Sequence, residues 1–157
     1  MKITLLNMGK ISDSYLKEGI EKYFGRLKHY TQIEIHDLEL PAKWQKLPPL
    51  ELKKKEADLQ LKWIEKADCV VLLDESGRQF GSLEFSTFIQ QKQLQSIRHL
   101  MFVSGGSWGF DTTIYEKAHL KISLSKMTFP HHLVRLIFLE QLYRAFTLLR
   151  NEPYHNA

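Results

Sequence analysis

Short runs of strand-forming residues alternate with segments of helical period along the whole chain. That alternation constrains the fold more than any other feature. It predicts an α/β arrangement: a mainly parallel sheet of about five strands with helices on both faces. The first run, Ile3 to Met8, precedes Leu16, Ile20, Phe24 and Leu27 at helical spacing, behind Ser12 and Asp13 as candidate caps. Ile33, Ile35, Leu38 and Leu40 follow in partial period-two alternation ended by Pro41. A loop from Pro41 to Pro49 leads to Leu52, Glu56, Leu59, Trp63 and Ile64 at helical spacing, with Lys53, Lys54 and Lys55 on the solvent side. Cys69 to Leu73 is continuously apolar, as a strand covered on both faces requires. After a turn at Ser76, Gly77 and Arg78, a helix from about Ser82 carries Leu83, Phe88 and Ile89 and ends near Leu94. Leu100 to Val103 gives a fourth strand, a short helix starts near Asp111, and His119 to Leu124 gives a fifth strand. A long last helix runs from just beyond Pro130 to about Arg150.

With 157 residues, the chain reads as a single domain over 1–157. Its 43% hydrophobic and 25% charged residues are those of a globular protein able to bury a core without staples, which excludes intrinsic disorder. The single cysteine, Cys69, permits no intramolecular disulfide and no Cys-rich zinc framework. The seven histidines form no His-Glu-x-x-His pattern, so metal catalysis is not expected. The apolar run after Met1 is too short for a signal peptide. No segment reaches about 18 apolar residues without charge, so a cytoplasmic protein that spans no membrane is expected. A formal net charge of +4 permits a polyanionic partner such as RNA without requiring one.

In open α/β sheets ligands bind beyond the carboxyl ends of the strands. Three loops there are distinctive: Leu73-Asp74-Glu75-Ser76-Gly77 after strand three, Ser104-Gly105-Gly106-Ser107-Trp108-Gly109 after strand four, and Ser125-Lys126-Met127-Thr128-Phe129-Pro130 after strand five. All three would open on one rim, which points to a shared pocket. The glycine loop either lets backbone approach a ligand or makes a tight turn needing positive φ at Gly105 or Gly106. It is neither a P-loop nor the first-turn signature of a dinucleotide fold, because no Gly-Lys-Ser/Thr follows and it comes after strand four. The strand-five loop mixes polar Ser125, Lys126 and Thr128 with apolar Leu124, Met127 and Phe129. Such a mixture suits a pocket gripping a flat heteroaromatic ring, or else Met127 and Phe129 simply cap the core.

The last helix is apolar around nearly its whole circumference, from Leu133 to Leu149, and so asks for a second partner beyond its own sheet. Homodimerisation is the economical answer. Arg135, Arg144 and Arg150 on it suit phosphate contact, or pair with Glu140 or Glu152. Tyr154 and His155 lie on a tail that either frays or stacks on a base and exchanges a proton with it.

Several blocks taken together resemble the ribosomal RNA large-subunit methyltransferase H family, of the SPOUT class of S-adenosyl-L-methionine-dependent RNA methyltransferases. They are Met1-Lys2-Ile3 with Gly9-Lys10, Val103 to Gly109, Leu124 to His131, Glu140 to Ala145, and Pro153-Tyr154-His155. The resemblance spans essentially the whole length and is loosest from Pro41 to Trp63. It implies a homodimer with a carboxy-terminal trefoil knot, and methylation of N3 of a pseudouridine in large-subunit (23S) rRNA on the assembled ribosome. Carried over by position, it implies cofactor contacts from Leu73, Gly105, Leu124, Ser125, Lys126, Met127, Thr128 and Phe129, three loops that the strand-end argument selects independently. Arg144, Tyr154 and His155 are the candidates for orienting the base, reaching across the dimer into the partner's pocket. Two positions depart from the family pattern: Phe110 stands where Leu is preferred, and Asn156 where a basic residue is usual. A non-catalytic ribosome-binding or RNA-binding factor retaining the fold is the main rival expectation. A flavodoxin-type electron carrier fits the alternation but not the glycine positions or the basic charge.

Overall fold

The computed structural model describes residues 1–156. Five parallel strands form one sheet in the order β2-β1-β4-β3-β5, with β1 Lys2–Met8, β2 Gln32–Leu38, β3 Cys69–Gln79, β4 His99–Ser104 and β5 Leu120–Ser123. The connecting helices are α1 Ser14–Leu27, α2 Pro49–Ile64, α3 Ser82–Leu94 and α4 Thr112–Lys117. Helix α5, His131–Leu149, follows the last strand. The strands at the centre are largely apolar because both faces are covered, with Thr4 and Asn7 of β1 and Ser104 of β4 as buried polar exceptions. Leu5, Val71 and Phe102 face a core shared with Phe85, Ile89, Phe138, Leu139 and Leu142, while Leu6, Leu72 and Val103 face a second core with Ala57, Ile64, Phe110 and Ile114. Helices α1, α3 and α5 therefore lie on one face and α2 and α4 on the other. That is the outcome of right-handed crossovers to alternate sides of the sheet.

The structure departs from the sequence expectation in local ways. Strand β2 stops at Leu38, and the Pro41–Pro49 loop holds a 3-10 turn over Ala42–Lys46. Asp13 caps α1 by its backbone position alone, with no side-chain bond, whereas Asp111 accepts from Thr113 N at 3.1 Å and does cap α4. Strand β3 does not end at Leu73. Leu73 and Arg78 both register with Ile122 of β5, so residues 74–77 leave the strand and return at the same level. Gly77 there lies against main chain, since a Cβ would sit 2.6 Å from the carbonyl carbon of Lys121.

Helix α5 is less in need of an outside partner than its composition suggests. It packs between α1 and α3 as well as on the sheet, and none of its residues from His131 to Leu149 is fully exposed. Against α1 the fit is close: a Cβ on Gly19 would meet Leu136 Cδ1 at 2.8 Å. On the α3 side Ser82 Oγ donates to Gln141 at 2.8 Å.

Candidate cofactor site

The carboxyl ends of β4, β3 and β5 are neighbours, and the register holds them level: Leu73 pairs with Ser104 on one side and with Ile122 on the other. The loops leaving them enclose a cavity of about 520 Å³. Leu73, Gly105, Leu124, Ser125, Met127, Thr128 and Phe129 all line it, together with Asp74, Trp108, Ile122, His131 and Val134. Lys126 does not line it. Arg144, Tyr154 and His155 do not reach it within one chain either.

Each wall has its own means of support. The strand-five loop is turned by internal hydrogen bonds, Ser123 Oγ donating to Ser125 O at 2.8 Å and Met127 N to Ser125 Oγ at 2.9 Å. Met127 is consequently left 75% exposed at the rim, where Trp108 is 60% exposed. In the glycine loop the positive φ falls at Gly109, at +81°, and not at Gly105 or Gly106. Gly105 backs the cavity with the Phe110 ring 3.4 Å from where its Cβ would be, and Gly106 is closed off from behind by Glu56. Burial works to raise the Asp74 carboxyl. Hydrogen bonds from Ser76 and Tyr115 and the charge of Lys121 outweigh it and hold the group below the usual range. His131, at the start of α5, is pushed down to about 4 by burial and by the neighbouring His132 and Arg135, so its imidazole is neutral at pH 7.

Beneath the rim runs a polar chain that the sequence does not advertise, buried at Ser104, Asn7 and Arg135 and opening to solvent at Asp37. Ser104 Oγ donates to Asn7 Oδ1 at 2.6 Å, and Asn7 Nδ2 to Asp37 at 2.9 Å. Arg135, 1% exposed, donates to Asp37 at 3.3 Å, to the Gly9 carbonyl at 2.9 Å and to that of Met8. It ties the first residues of α5 to the end of β1 and fixes how residues 124–130 cross the rim.

The tail does not fray. Tyr154 Oη donates to Glu140 at 3.0 Å, its ring meets Tyr143 edge-on at 4.8 Å, and the Arg144 guanidinium lies 4.8 Å over its centre. Arg144 also donates to Glu140 and meets His155 Nδ1 at 3.2 Å. Burial, with the hydrogen bonds to Tyr23 and Glu140, pushes the Tyr154 hydroxyl well above its ordinary range and keeps it neutral. The three candidates for handling a base are thus one assembled group, with Glu140 as the shared acceptor.

The chain is 45% identical over 156 residues to a protein of Parabacteroides distasonis and 46% identical over 156 residues to one of Christiangramia forsetii. Each comparison covers 99% of both chains, and both relatives carry the name ribosomal RNA large subunit methyltransferase H. Residues 1–155 also match the family described as "Predicted SPOUT methyltransferase". The chain belongs to the ribosomal RNA large subunit methyltransferase H family of SPOUT methyltransferases. Among solved structures it superposes on a methylase family protein from Neisseria gonorrhoeae with a TM-score of 0.51 at 8% identity, covering 99% of this chain and 87% of that one, a likeness of fold alone. Membership in the SPOUT family is carried by the whole chain, including the Pro41–Trp63 stretch where the motifs are weakest. No helix among the described residues is long and apolar enough to cross a membrane, and no group of acidic, His or Cys side chains among them suits a metal ion.

Proposed function

We propose that the chain transfers a methyl group from S-adenosyl-L-methionine to N3 of a pseudouridine in large-subunit ribosomal RNA on the assembled ribosome. The observation that carries this is the meeting of three strand exits around one cavity, in a chain of the ribosomal RNA large subunit methyltransferase H family. The cavity fits the cofactor. Its 520 Å³ lies within the roughly 300–1,000 Å³ of small-molecule sites, and it combines apolar walls with a glycine-backed face and polar Ser125 and Thr128. Leu73, Gly105 and Leu124, Ser125, Met127, Thr128 and Phe129 would hold the nucleoside and amino-acid parts. Lys126, outside the cavity, would act at its mouth. Bound there, the cofactor supplies an electrophilic methyl on a sulfonium.

The residues contribute chiefly position, since in-line displacement at carbon needs donor and acceptor held at near-attack distance. The N3 proton lies between two carbonyls, and its loss leaves negative charge that a cation stabilises. Arg144, with its charge held firmly by Glu140, fits that task. Tyr154, kept neutral, would donate to a base oxygen on exchanging Glu140 for the base, and His155 is held beside it by Arg144. Since these groups lie away from their own cavity, they serve the cavity of a second copy. Leu133, Ile137, Arg144 and Leu148 recur at helical spacing on α5 as a half-covered stripe suited to that contact. Family membership supports a trefoil threading of the chain's last part. A protein acting on assembled ribosomes would work in the cytoplasm.

Incubation of isolated ribosomes with tritiated S-adenosyl-L-methionine tests the proposal. Label incorporated into the large-subunit RNA at one pseudouridine is the expected result. Ribosome binding without label would instead make the chain an RNA-binding factor of the same fold.

A further inference from the structure

Behind the glycine loop lies a carboxyl that methyl transfer as described does not use. Glu56 is on the inner face of α2 and 3% exposed, one turn before Gln60, which is 2% exposed and whose Nε2 has no hydrogen-bond partner among the described residues. The residues beneath α2 are apolar: Leu6, Val103, Phe110 and Ile114. The Glu56 oxygens fill the space a side chain on Gly106 would need, 2.6 and 2.7 Å from the position of its Cβ. A carboxyl buried this deeply is normally paired. This one is aimed at the main chain of the loop whose other side faces the cavity.

We infer that Glu56 is a positioning residue for the cofactor loop, and that its ionised form favours a ligand of net positive charge over a neutral one. The inference rests on the assignment of S-adenosyl-L-methionine to the cavity. With a sulfonium, an ammonium and a carboxylate, that donor is a net cation, whereas the demethylated product has lost the sulfonium charge. A carboxylate in a low-dielectric setting acts on such a charge across a thin loop. Its oxygens also pack against the back of Gly106, which limits where the loop backbone can sit on the cavity side. Ionised Glu56 therefore helps a fresh donor displace spent product.

The sign of the pH dependence follows from linkage. Burial alone raises the Glu56 carboxyl, to about 7. A bound cation stabilises the carboxylate and lowers its pKa in the complex, so donor affinity grows as pH rises through neutrality. Other charged groups nearby keep their state there. Asp111, at the start of α4, is held low by Thr113 with help from Lys54 and Lys53 on α2. Asp74 in the cavity wall is held low, and His131 and His132 on α5 are pushed down. Glu75 lines the cavity as well. The strand residues under α2, Leu6, Val70, Leu72, Met101 and Val103, carry no charge.

Calorimetric titration of wild type and Glu56→Gln with donor and with demethylated product, at about pH 6 and about pH 8, tests this. The ligand ammonium titrates near the same range, so the readout is the difference between the two proteins. Wild type should gain about fivefold more donor affinity over that interval than the variant, as about one unit of coupled shift down from about 7 gives between those pH values. At the higher pH, Glu56→Gln should weaken the donor more than the product. In a second arm Gly106→Ala should weaken donor binding sharply, and Glu56→Ala in the same chain should restore it, by vacating the space, only as far as the affinity of Glu56→Ala alone. Should Glu56→Gln not fold, the uncharged Glu56→Met takes its place. Parallel pH curves in the two proteins, equal losses for donor and product, or no rescue of Gly106→Ala would overturn the inference. Wild type that binds no donor at either pH would overturn the cofactor assignment itself, a result visible without any variant.

Discussion

Gly105 and Arg135 show what single positions contribute to the site. A Cβ at Gly105 would stand at ordinary contact distance from Phe110, so the fold tolerates one there; the branched methyls of valine would project into the cavity instead. Gly105→Val is therefore expected to keep its circular dichroism and thermal midpoint while losing donor affinity by more than about tenfold, as calorimetry would show. Arg135 is the opposite case. Its guanidinium answers two backbone carbonyls in the interior and reaches solvent-exposed Asp37, and removing it strands the carbonyls. Arg135→Leu should cost about 2–3 kcal/mol, read as a lower urea midpoint. Gly105 stands out in the sequence because three glycines in five residues are visible to any reader. Arg135 does not, because an arginine in an apolar helix looks like solvated charge, and Glu56, though its spacing puts it on the inner face with Leu52, Leu59 and Ile64, gives no sign of how deeply its carboxyl is buried. Their burial is decided by strands and loops far away in the chain. The one local signal was the four-residue spacing of Glu56, Gln60 and Ile64, which marks a single helix face.

At the scale of elements, apolar runs and helical periods predicted all five strands and all five α-helices, because the central strands bury both faces, the edge strand β2 keeps a partial alternation and each helix buries one face. What stayed hidden was register. Nothing in Asp74-Glu75-Ser76-Gly77 reveals that the chain leaves β3 and rejoins β5 at Ile122, since that depends on backbone contact with a segment about 45 residues on. The tail was equally ambiguous: Pro153-Tyr154-His155 has the composition of a frayed end. It is ordered because Glu140, Tyr143 and Arg144, presented one turn apart on α5, offer an acceptor, a ring and a cation together. Removing residues 153–157 should lower stability by about 1–2 kcal/mol through the lost aromatic contact and hydrogen bond. It should spare donor binding, since none of the described residues among them lines the cavity, and sharply reduce methyl transfer to ribosomes. Turnover unchanged by the truncation would remove the tail from catalysis.

For the molecule as a whole, the open question is whether one chain makes a complete active site. The cavity and the Arg144–Tyr154–His155 group are each well built, yet they are not brought together by the fold of a single chain. Most of the apolar circumference of α5 is satisfied by α1, α3 and the sheet, which removes the simple argument that so apolar a helix must pair. What remains is the half-covered stripe of Leu133, Ile137 and Leu148 with Arg144 among them, beside a cavity rim where Met127 and Trp108 stand exposed. Apolar groups at a cavity mouth and along the adjoining helix are the pattern of a contact that also closes a site. Sedimentation at micromolar concentration should accordingly give a twofold dimer, and Ile137→Glu should convert it to monomer with its secondary structure intact. The decisive measurement mixes two inactive chains, Gly105→Val and Arg144→Ala. If each tail serves the other copy's cavity, a mixed dimer holds one intact pairing and one doubly impaired one, and methyl transfer should recover to about a quarter of the wild-type level on statistical exchange. A mixture as inactive as its components would mean that each chain completes its own site.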